Sequence, residues 1–476
     1  MNAEVLWTAK DAKAATNGMG PDHWRATGVS IDSRSVAAGD LFAALSGPNF
    51  DGHDFVADAL RKGAAAALVS RRPSGVADDA PLLLVRDTLA ALRDLAAAAR
   101  ARSLAKVFAV TGSSGKTSSK ELLAGACAAL GPSHAAVASY NNHWGVPLTL
   151  ARMPRETAWA VCEIGMNHAG EIRPLTRLVR PHAAIVTNVG QVHLEHLGSR
   201  EAIADAKAEV FEGLESGGKV ILPRGDDFFE RLASAARERA AEVISFGAHP
   251  ASDVRLLDYR PQGEGGMVEA HFFGRALTFR VPFAGRHQAI NALGALAALH
   301  ALGGDLERAL EGLASLKPLA GRGARGRLKL PGGREIILLD ESYNANPQSV
   351  AAALAVLGEV EPAGAGRRIA VLGDMLELGP EAGQLHAKLR GALLAAGVSH
   401  AFLCGRLMKH LADALPSNLT VVHAGDSQAL AELLLPALAD GDVVLVKGSL
   451  GSRMKHIVDA LVAEEEETGR GGANAL

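Results

Sequence analysis

Apolar residues along the chain fall into short runs separated by longer mixed stretches, the pattern of strands alternating with helices. Near the start, VSIDSRSVAAGDLFAAL (29–45) predicts strand, turn, strand. Residues 55–62 predict a helix closed by Gly63, and AAALVS (65–70) a buried strand. A helix over about 87–102 leads into a section where VFAVTG (107–112), 158–164, AAIVTNV (183–189), KVILP (219–223) and EVISF (242–246) are strand-like and the segments between them helical. Such alternation favours a parallel sheet covered by helices. Residues 252–284 break the pattern with short alternating strands and Gly-rich turns, which predicts an antiparallel excursion, and an Ala/Leu-rich helix over 289–302 follows. From about Gly321, EIILLD (335–340), RIAVLG (368–373), AFLC (401–404), LTVVH (419–423) and DVVLVK (442–447) predict a second α/β unit. The polar, Gly-containing tail 464–476 is expected to fray at its end.

The 476 residues correspond to about three domains at roughly 100–200 residues each. The expected boundaries are 1–86, 87–319 and 320–476, all of α/β class. Charge nearly balances, 49 Lys+Arg against 52 Asp+Glu, which argues against a protein held to nucleic acid mainly by phosphate neutralisation. Mean hydropathy is slightly positive, but alanine accounts for much of that. The longest apolar stretches, such as Ile290–Leu302, fall short of the ~20 residues of a spanning helix. The first residues lack the cationic start and apolar core of a secretory signal. Cys127, Cys162 and Cys404 are far apart in apolar runs, so they read as buried small hydrophobes in a reducing compartment rather than as a metal or disulfide framework.

The strongest chemical signal is VFAVTGSSGKTSSKE (107–121), where an apolar strand runs into a Gly/Ser loop and then a helix. Glycines let backbone N–H groups turn inward around phosphates, so Thr111, Gly112, Ser113, Ser114, Gly115, Lys116 and Thr117 form a candidate cradle. Lys116 would meet the β/γ phosphates and the Thr117 hydroxyl a Mg²⁺ ion. The strict motif has Gly five residues before Gly115; Val110 stands there, making this a variant loop. Nucleotide binding follows from it, but the reaction does not, because such loops serve kinases, motors, switches and ligases alike.

Two further groups lie just past strand ends, where open parallel sheets bind ligands. Glu163, in VCEIGMNHAGEI (161–172), could ligate the same Mg²⁺. His193, in TNVGQVHLEHLGS (187–199), could be a second metal ligand, although His196 and His168 leave that choice open on chemistry alone. Lys207, in EAIADAKAEVF (201–211), reads by composition as an ordinary helix lysine.

At this point the motifs resemble a known family. TGSSGKTSSKE, NNHWGVPLTL (141–150), CEIGMNHAGEI, TNVGQVHLEHLGS with AKAEVF, GRHQAINALGALA (285–297), DESYNANPQS (340–349) and VLGDMLELG (371–379) are similar, in order, to motifs of the Mur ligases. These are ATP-dependent amide-bond-forming enzymes of peptidoglycan synthesis, and the resemblance spans about residues 30–455. It implies that 1–86 binds a UDP-muramoyl substrate, a reading that DSRSVAAGDLFAALSGPNFDGHDF (32–55) fits. It implies further that 87–319 is the central P-loop ATPase domain, and that 320–476 is a Rossmann-like domain that closes on ATP. DESYNANP, LGDMLELG and EIGMNHAGEI imply one step of the pathway. That step joins D-alanyl-D-alanine to the carboxylate of UDP-N-acetylmuramoyl-tripeptide through an acyl phosphate, with ATP going to ADP and phosphate.

The same resemblance implies two Mg²⁺ ions, with Thr117 and Glu163 as ligands of the ion shared with ATP and His193 as a ligand of the second. Lys207 matches the lysine that several members carry as a carbamate beside the metal. Asn291 and Asp226 match adenine contacts, and Arg322 the arginine that reaches the γ-phosphate from the last domain. Asp340, Tyr343, Asn344 and Asn346 belong to the loop bordering the nucleotide. Ser33 and Arg34 would touch the sugar nucleotide. Asn141, Asn142, Asn167 and His168 would line the gap between ATP and the incoming amine. Lys447 and Arg453, in VKGSLGSRM (446–454), would lie near the dipeptide, although Leu450 and Ser452 depart from the family's Gly- and Arg-rich pattern there. A cytoplasmic, monomeric enzyme without nucleic-acid or membrane partners is expected. The rival expectations are a sister ligase with another amine, such as a folylpolyglutamate-type enzyme, and an ATP-dependent switch without catalysis.

Overall fold

Three large sheets, each packed against helices, and two two-stranded ones carry the chain in the computed structural model, which describes residues 4–137, 139–318 and 320–471. The first sheet has four parallel strands in the order Gly28–Ser30, Asp40–Ala43, Ala66–Val69, Leu82–Leu84. The strand–turn–strand read over 29–45 thus pairs in parallel, not as a hairpin. Helix Thr88–Arg102 then joins the first sheet to the second. Asp87 starts it by accepting the Ala90 N–H at 2.7 Å. Thr88, Ala91, Leu92, Leu95, Ala96 and Ala99 recur at helical spacing on its buried face. Leu92, Leu95 and Ala99 pack with Trp7, Val29 and Leu41 of the first unit and with Leu148 and Ala151 of the second, so the two units share one apolar core. The Trp7 indole N–H adds a bond to the Ala151 carbonyl at 2.8 Å. Asp87→Ala is expected to cost about 1 kcal/mol of stability, the usual worth of such a cap, read as a lower urea midpoint with unchanged slope.

The second sheet has nine strands. In order they are Ser133–Ala135, Trp159–Glu163, Lys106–Thr111, Ala183–Val186, Lys219–Pro223, Glu242–Gly247, Val254–Gln262, Gly265–Phe272 and Arg275–Val281. The last three form the expected antiparallel excursion, attached through a short parallel contact of Phe246 and Gly247 with Val254 and Arg255. Strand Lys106–Thr111 is apolar over 107–110 because both faces are covered there. Phe108 and Val110 face one helical layer, Val107 and Ala109 the other. Its neighbours are Trp159–Glu163 on one side and Ala183–Val186 on the other. The chain therefore changes direction at this strand, and the crevice that such a reversal opens lies at the strands' C-terminal ends.

The third sheet runs Ala324–Leu330, Arg334–Glu341, Val443–Lys447, Arg368–Gly373, His400–Cys404, Thr420–Ala424, with only the first pair antiparallel. Ala370 and Leu372 pack on one face, Ile369 and Val371 on the other. Leu82–Leu84 of the first sheet and two strands of the larger sheets escape the sequence pattern. Ser133–Ala135 is too short and polar to stand out, and Ala324–Leu330 is an edge strand whose Arg327 and Lys329 face solvent while Leu328 and Leu330 face in. The helix Lys455–Gly471 carries regular structure into the acidic tail; residues 472–476, where fraying was expected, lie outside the described residues.

No helix of the described residues is long and apolar enough to cross a membrane. All three cysteines are free and buried, and burial pushes the thiols of Cys127 and Cys162 up to about 12 and that of Cys404 to about 11. The thiolate is the reactive form, so iodoacetamide at about pH 8 should leave the native protein unlabelled and modify all three residues in urea, by intact mass.

Candidate active site

The C-terminal ends of the second and third sheets face a common cavity of about 570 Å³. On the central side, the turn after Thr111 needs Gly112 and Gly115, with φ of 148° and 76°. A Cβ on Gly112 would lie 1.8 Å from Thr187 Oγ1, and one on Gly115 3.0 Å from the Asn291 amide, so both neighbours press against the loop. The Ser113 and Ser114 N–H groups converge on one acceptor, Asn188 Oδ1, at 3.1 and 2.9 Å. Such a pair of inward amides at a helix N-terminus is an anion nest. Asn188 Nδ2 donates to Ser114 Oγ at 2.7 Å, and Thr187 Oγ1 to the Ser114 carbonyl at 2.5 Å, which fixes the loop to the neighbouring strand's end.

Helix Lys116–Ala128 follows. The Lys116 ammonium folds back to the Gly112 carbonyl at 2.8 Å. Burial pulls it below the ordinary lysine range; Glu163 opposes that pull and Arg322 adds to it. The Thr117 hydroxyl donates to Glu163 Oε2 at 2.8 Å, and Asn141 Nδ2 to Glu163 Oε1 at 2.7 Å. Thr117 and Glu163 are buried, so this is a dry hydroxyl–carboxylate pair beside the phosphate loop, a set of hard oxygen donors suited to Mg²⁺.

From the third unit, Arg322 Nη2 donates to Ser139 Oγ at 2.8 Å, and its guanidinium lies 4.1 Å over the Tyr343 ring. The arginine is thereby held beside Thr117, whose Oγ1 is 3.3 Å from the same Ser139 hydroxyl. Lys447 donates to Glu341 Oε2 at 3.2 Å and to the Asn344 carbonyl at 3.1 Å. Asn346 caps helix Pro347–Glu359, exchanging bonds with Ser349. His193 Nδ1 meets Glu377 Oε2 at 2.6 Å, a contact between the second and third units. That bond is the main reason Glu377 sits below the usual carboxylate range.

Of the residues expected from sequence, Ser113, Ser114, Gly115, Lys116, Thr117, Asn141, Glu163, Asn167, His193, Asn291, Arg322, Tyr343, Asn344, Asn346 and Lys447 line this cavity. Others stand outside the lining. Thr111 is buried with its hydroxyl unpaired. Asp226 spends its carboxylate on the Val189 and Phe228 N–H groups at 2.8 and 3.0 Å. Asp340 does the same for Gly321 and Ser342, which anchors the turn that carries Arg322. Asn142 caps helix Gly145–Ala151 through Trp144 and Gly145 N–H. His168 is exposed, bonded to Glu171 and stacked 4.6 Å from His196. Arg453 ends a short 3₁₀ turn with φ of 52°. Ser33 and Arg34 lie in the first unit, where Arg34 is tied to Asp32 and the Ser33 carbonyl accepts from Lys62 at 2.7 Å.

Lys207 is 1% exposed inside helix Arg200–Ala208, and its ammonium makes no hydrogen bond to a described residue. Burial drives it well below the ordinary lysine range, with Lys116 adding to the shift and Asp226 opposing it. Sequence reading missed Ser139, Asn188, His287, Gln288, Glu341 and Glu377, all of which line the cavity. Each sits inside a recognised motif or next to one, so proximity to those motifs was the available signal. Among them, burial holds the His287 imidazole below its usual range.

Comparisons with known proteins cover most of the chain. The model of the Mur ligase family, catalytic domain, matches residues 25–100. The Mur ligase middle domain matches 110–299, and the Mur ligase, glutamate ligase domain, 326–450. The UDP-N-acetylmuramoyl-tripeptide–D-alanyl-D-alanine ligase of Escherichia coli is 37% identical over 91% of this chain and 93% of its own. The solved MurF of Acinetobacter baumannii superposes with a TM-score of 0.82 at 30% identity, covering 97% of this chain and 99% of that one. The MurF ligase of Thermotoga maritima, solved in complex with ADP, gives 0.76 at 25% identity, covering 93% and 98%.

Proposed function

The chain belongs to the Mur ligase family, and from that premise we infer that it is an ATP-dependent amide ligase of peptidoglycan synthesis. It joins D-alanyl-D-alanine to the C-terminal carboxylate of UDP-N-acetylmuramoyl-tripeptide. The observation that carries this reading is the meeting of Lys116, Thr117 and Glu163 with Arg322 and Lys447 in one cavity.

A carboxylate resists attack by an amine because oxide is a poor leaving group. An oxygen of the tripeptide carboxylate attacks the γ-phosphorus of ATP and ADP leaves, which gives an acyl phosphate. The dipeptide nitrogen then attacks the acyl carbon, phosphate departs with the former carboxylate oxygen, and the amine loses its proton. Lys116, the Ser113 and Ser114 amides and Arg322 hold the charge on the transferring phosphoryl group. Thr117 and Glu163 would hold one Mg²⁺ ion, and His193, joined by Lys207 once carbamylated, would hold a second; bound there, the ions would supply neutralisation of phosphate charge. The desolvated amine of Lys207 supports the modification, because only a neutral lysine nitrogen adds to CO₂, releasing a proton and leaving an anion.

Residues 1–86, 87–319 and 320–476 then serve as UDP-substrate, ATP and closing domains. Ser33 and Arg34 face the uridine nucleotide. Asn291 and the Asp226 segment serve adenine, and the 340–346 loop borders the nucleotide. Asn141, Asn142, Asn167 and His168 lie toward the amine, and Lys447 and Arg453 toward the dipeptide. The reading takes the enzyme as a monomer of the cytoplasm, where ATP and a UDP-linked substrate are met. Closure of the third unit would keep water from the acyl phosphate.

The test is phosphate release with ATP, Mg²⁺ and UDP-muramoyl-tripeptide, with D-Ala-D-Ala added or withheld. The reading expects release that depends on the dipeptide, with a matching mass gain on the UDP-peptide. Release driven only by another amino acid would move the enzyme to a sister step.

A further inference from the structure

We propose that Glu377 is a positioning residue for His193: the third unit sets the imidazole of the second so that its Nε2 lone pair is presented to the cavity. The inference deepens the ligase reading and rests on it for the identity of the metal. A neutral imidazole has one N–H and one lone pair. Glu377 Oε2 lies 2.6 Å from Nδ1, and an ionised carboxylate can only accept, so the proton sits on Nδ1 and Nε2 is left free to ligate. A carboxylate on the far nitrogen also raises the basicity of the ligating one.

The backbone points the same way. His193 has φ of 56° and Glu377 φ of 62°. Non-glycine residues in this region are strained, and they persist where the surroundings over-determine them. Here two such residues, from different units, meet by their side chains. His193 opens only a four-residue helix, Leu194–Leu197, so no long helix requires its conformation. The two loops also touch by backbone. A Cβ on Gly379, whose φ is 67°, would be in ordinary contact with the second unit, 3.4 Å from the Glu195 nitrogen. Among the described residues only His193 bonds Glu377; of the other imidazoles near it, His168 is taken by Glu171 at 3.0 Å and His196 packs against His168 at 4.6 Å. A His193 tautomer set from the third unit would make the metal site complete only when that unit is docked.

The experiment uses the full-length enzyme labelled with ¹⁵N-histidine. His193 is assigned by the signals lost in His193→Gln, and its tautomer is read from long-range ¹H–¹⁵N spectra at about pH 8. Wild type should carry the proton on Nδ1. Glu377→Ala should move it toward Nε2, while Glu377→Gln, whose amide oxygen still accepts, should keep it on Nδ1. In parallel, half-saturation by Mg²⁺ should rise about tenfold in the alanine variant with the KM for D-Ala-D-Ala unchanged. An unchanged tautomer in the alanine variant would overturn the proposal. Failure of the ligase reading would show differently, as wild-type enzyme that does not turn over with D-Ala-D-Ala.

Discussion

Lys116→Met should lower kcat for D-Ala-D-Ala-dependent phosphate release by about 10²–10³-fold, or roughly 2.7–4 kcal/mol, the cost of removing one preorganised donor from a developing charge. Methionine preserves the length and apolar stem of the side chain, so packing at the start of the helix is kept. What it removes is the cation. Lys116 is half-buried, its ammonium is tied to the Gly112 carbonyl, and Glu163 is near enough to oppose the pull of burial. In a site so poorly solvated a charge is screened less than in water, and it is in place before the phosphoryl group moves. Glu163 remains held by Thr117 and Asn141 in the variant, so the fold should not fail. Rapid-quench or steady-state phosphate assays at saturating substrates read the effect. Activity within threefold of wild type would remove Lys116 from the chemistry.

Lys207→Met should lower kcat/KM by at least about 100-fold, because losing a metal donor should cost no less than the 10–100-fold that the donors' outer partners contribute, and should leave the protein no less stable. The two readouts together separate function from structure. A buried lysine maintained only for packing would be replaced by methionine at no loss of activity. Lys207 is enclosed and its ammonium finds no acceptor among the described residues, so folding weakens its hold on the proton. The sign of the pH dependence follows. Between the lowered value in the fold and the ordinary lysine value of 10.5, the unfolded chain binds the proton and the folded one does not. Stability from this group therefore rises with pH across that window, and the penalty lies below it. Urea titrations of wild type should show this alkaline gain and those of Lys207→Met should lack it. If the lysine is already a carbamate in the isolated enzyme, intact mass taken without acid exposes the added CO₂, and the alkaline gain disappears from wild type as well.

Legibility from sequence followed burial and motif density. The strands of the second and third sheets that are covered on both faces, such as Lys106–Thr111 and Val443–Lys447, announce themselves as unbroken apolar runs. The edge strands Ser133–Ala135 and Ala324–Leu330 do not, because an edge needs polar residues to stay soluble and so loses its signature. In the site, Lys116, Thr117 and Glu163 were legible because strand, loop and helix place them regardless of the rest of the fold. Asp226 and Asp340 illustrate the limit. Both lie in the right segments, yet each spends its carboxylate on backbone N–H groups, and only three-dimensional structure reveals which acids are consumed that way. Glu377 was hidden for the opposite reason. Its motif was evident, but its partner His193 lies 184 residues away, and no local pattern encodes so distant a pairing.

The central claim is an acyl phosphate formed on the tripeptide and resolved by D-Ala-D-Ala, and transfer of ¹⁸O tests it most directly. The C-terminal carboxylate of UDP-muramoyl-tripeptide would carry ¹⁸O at both oxygens, and the enzyme would turn over with ATP, Mg²⁺ and D-Ala-D-Ala. The account predicts one ¹⁸O in each inorganic phosphate released and one retained in the new amide of the pentapeptide. Phosphate free of ¹⁸O would contradict it, because the carboxylate would then never have been bonded to the γ-phosphorus.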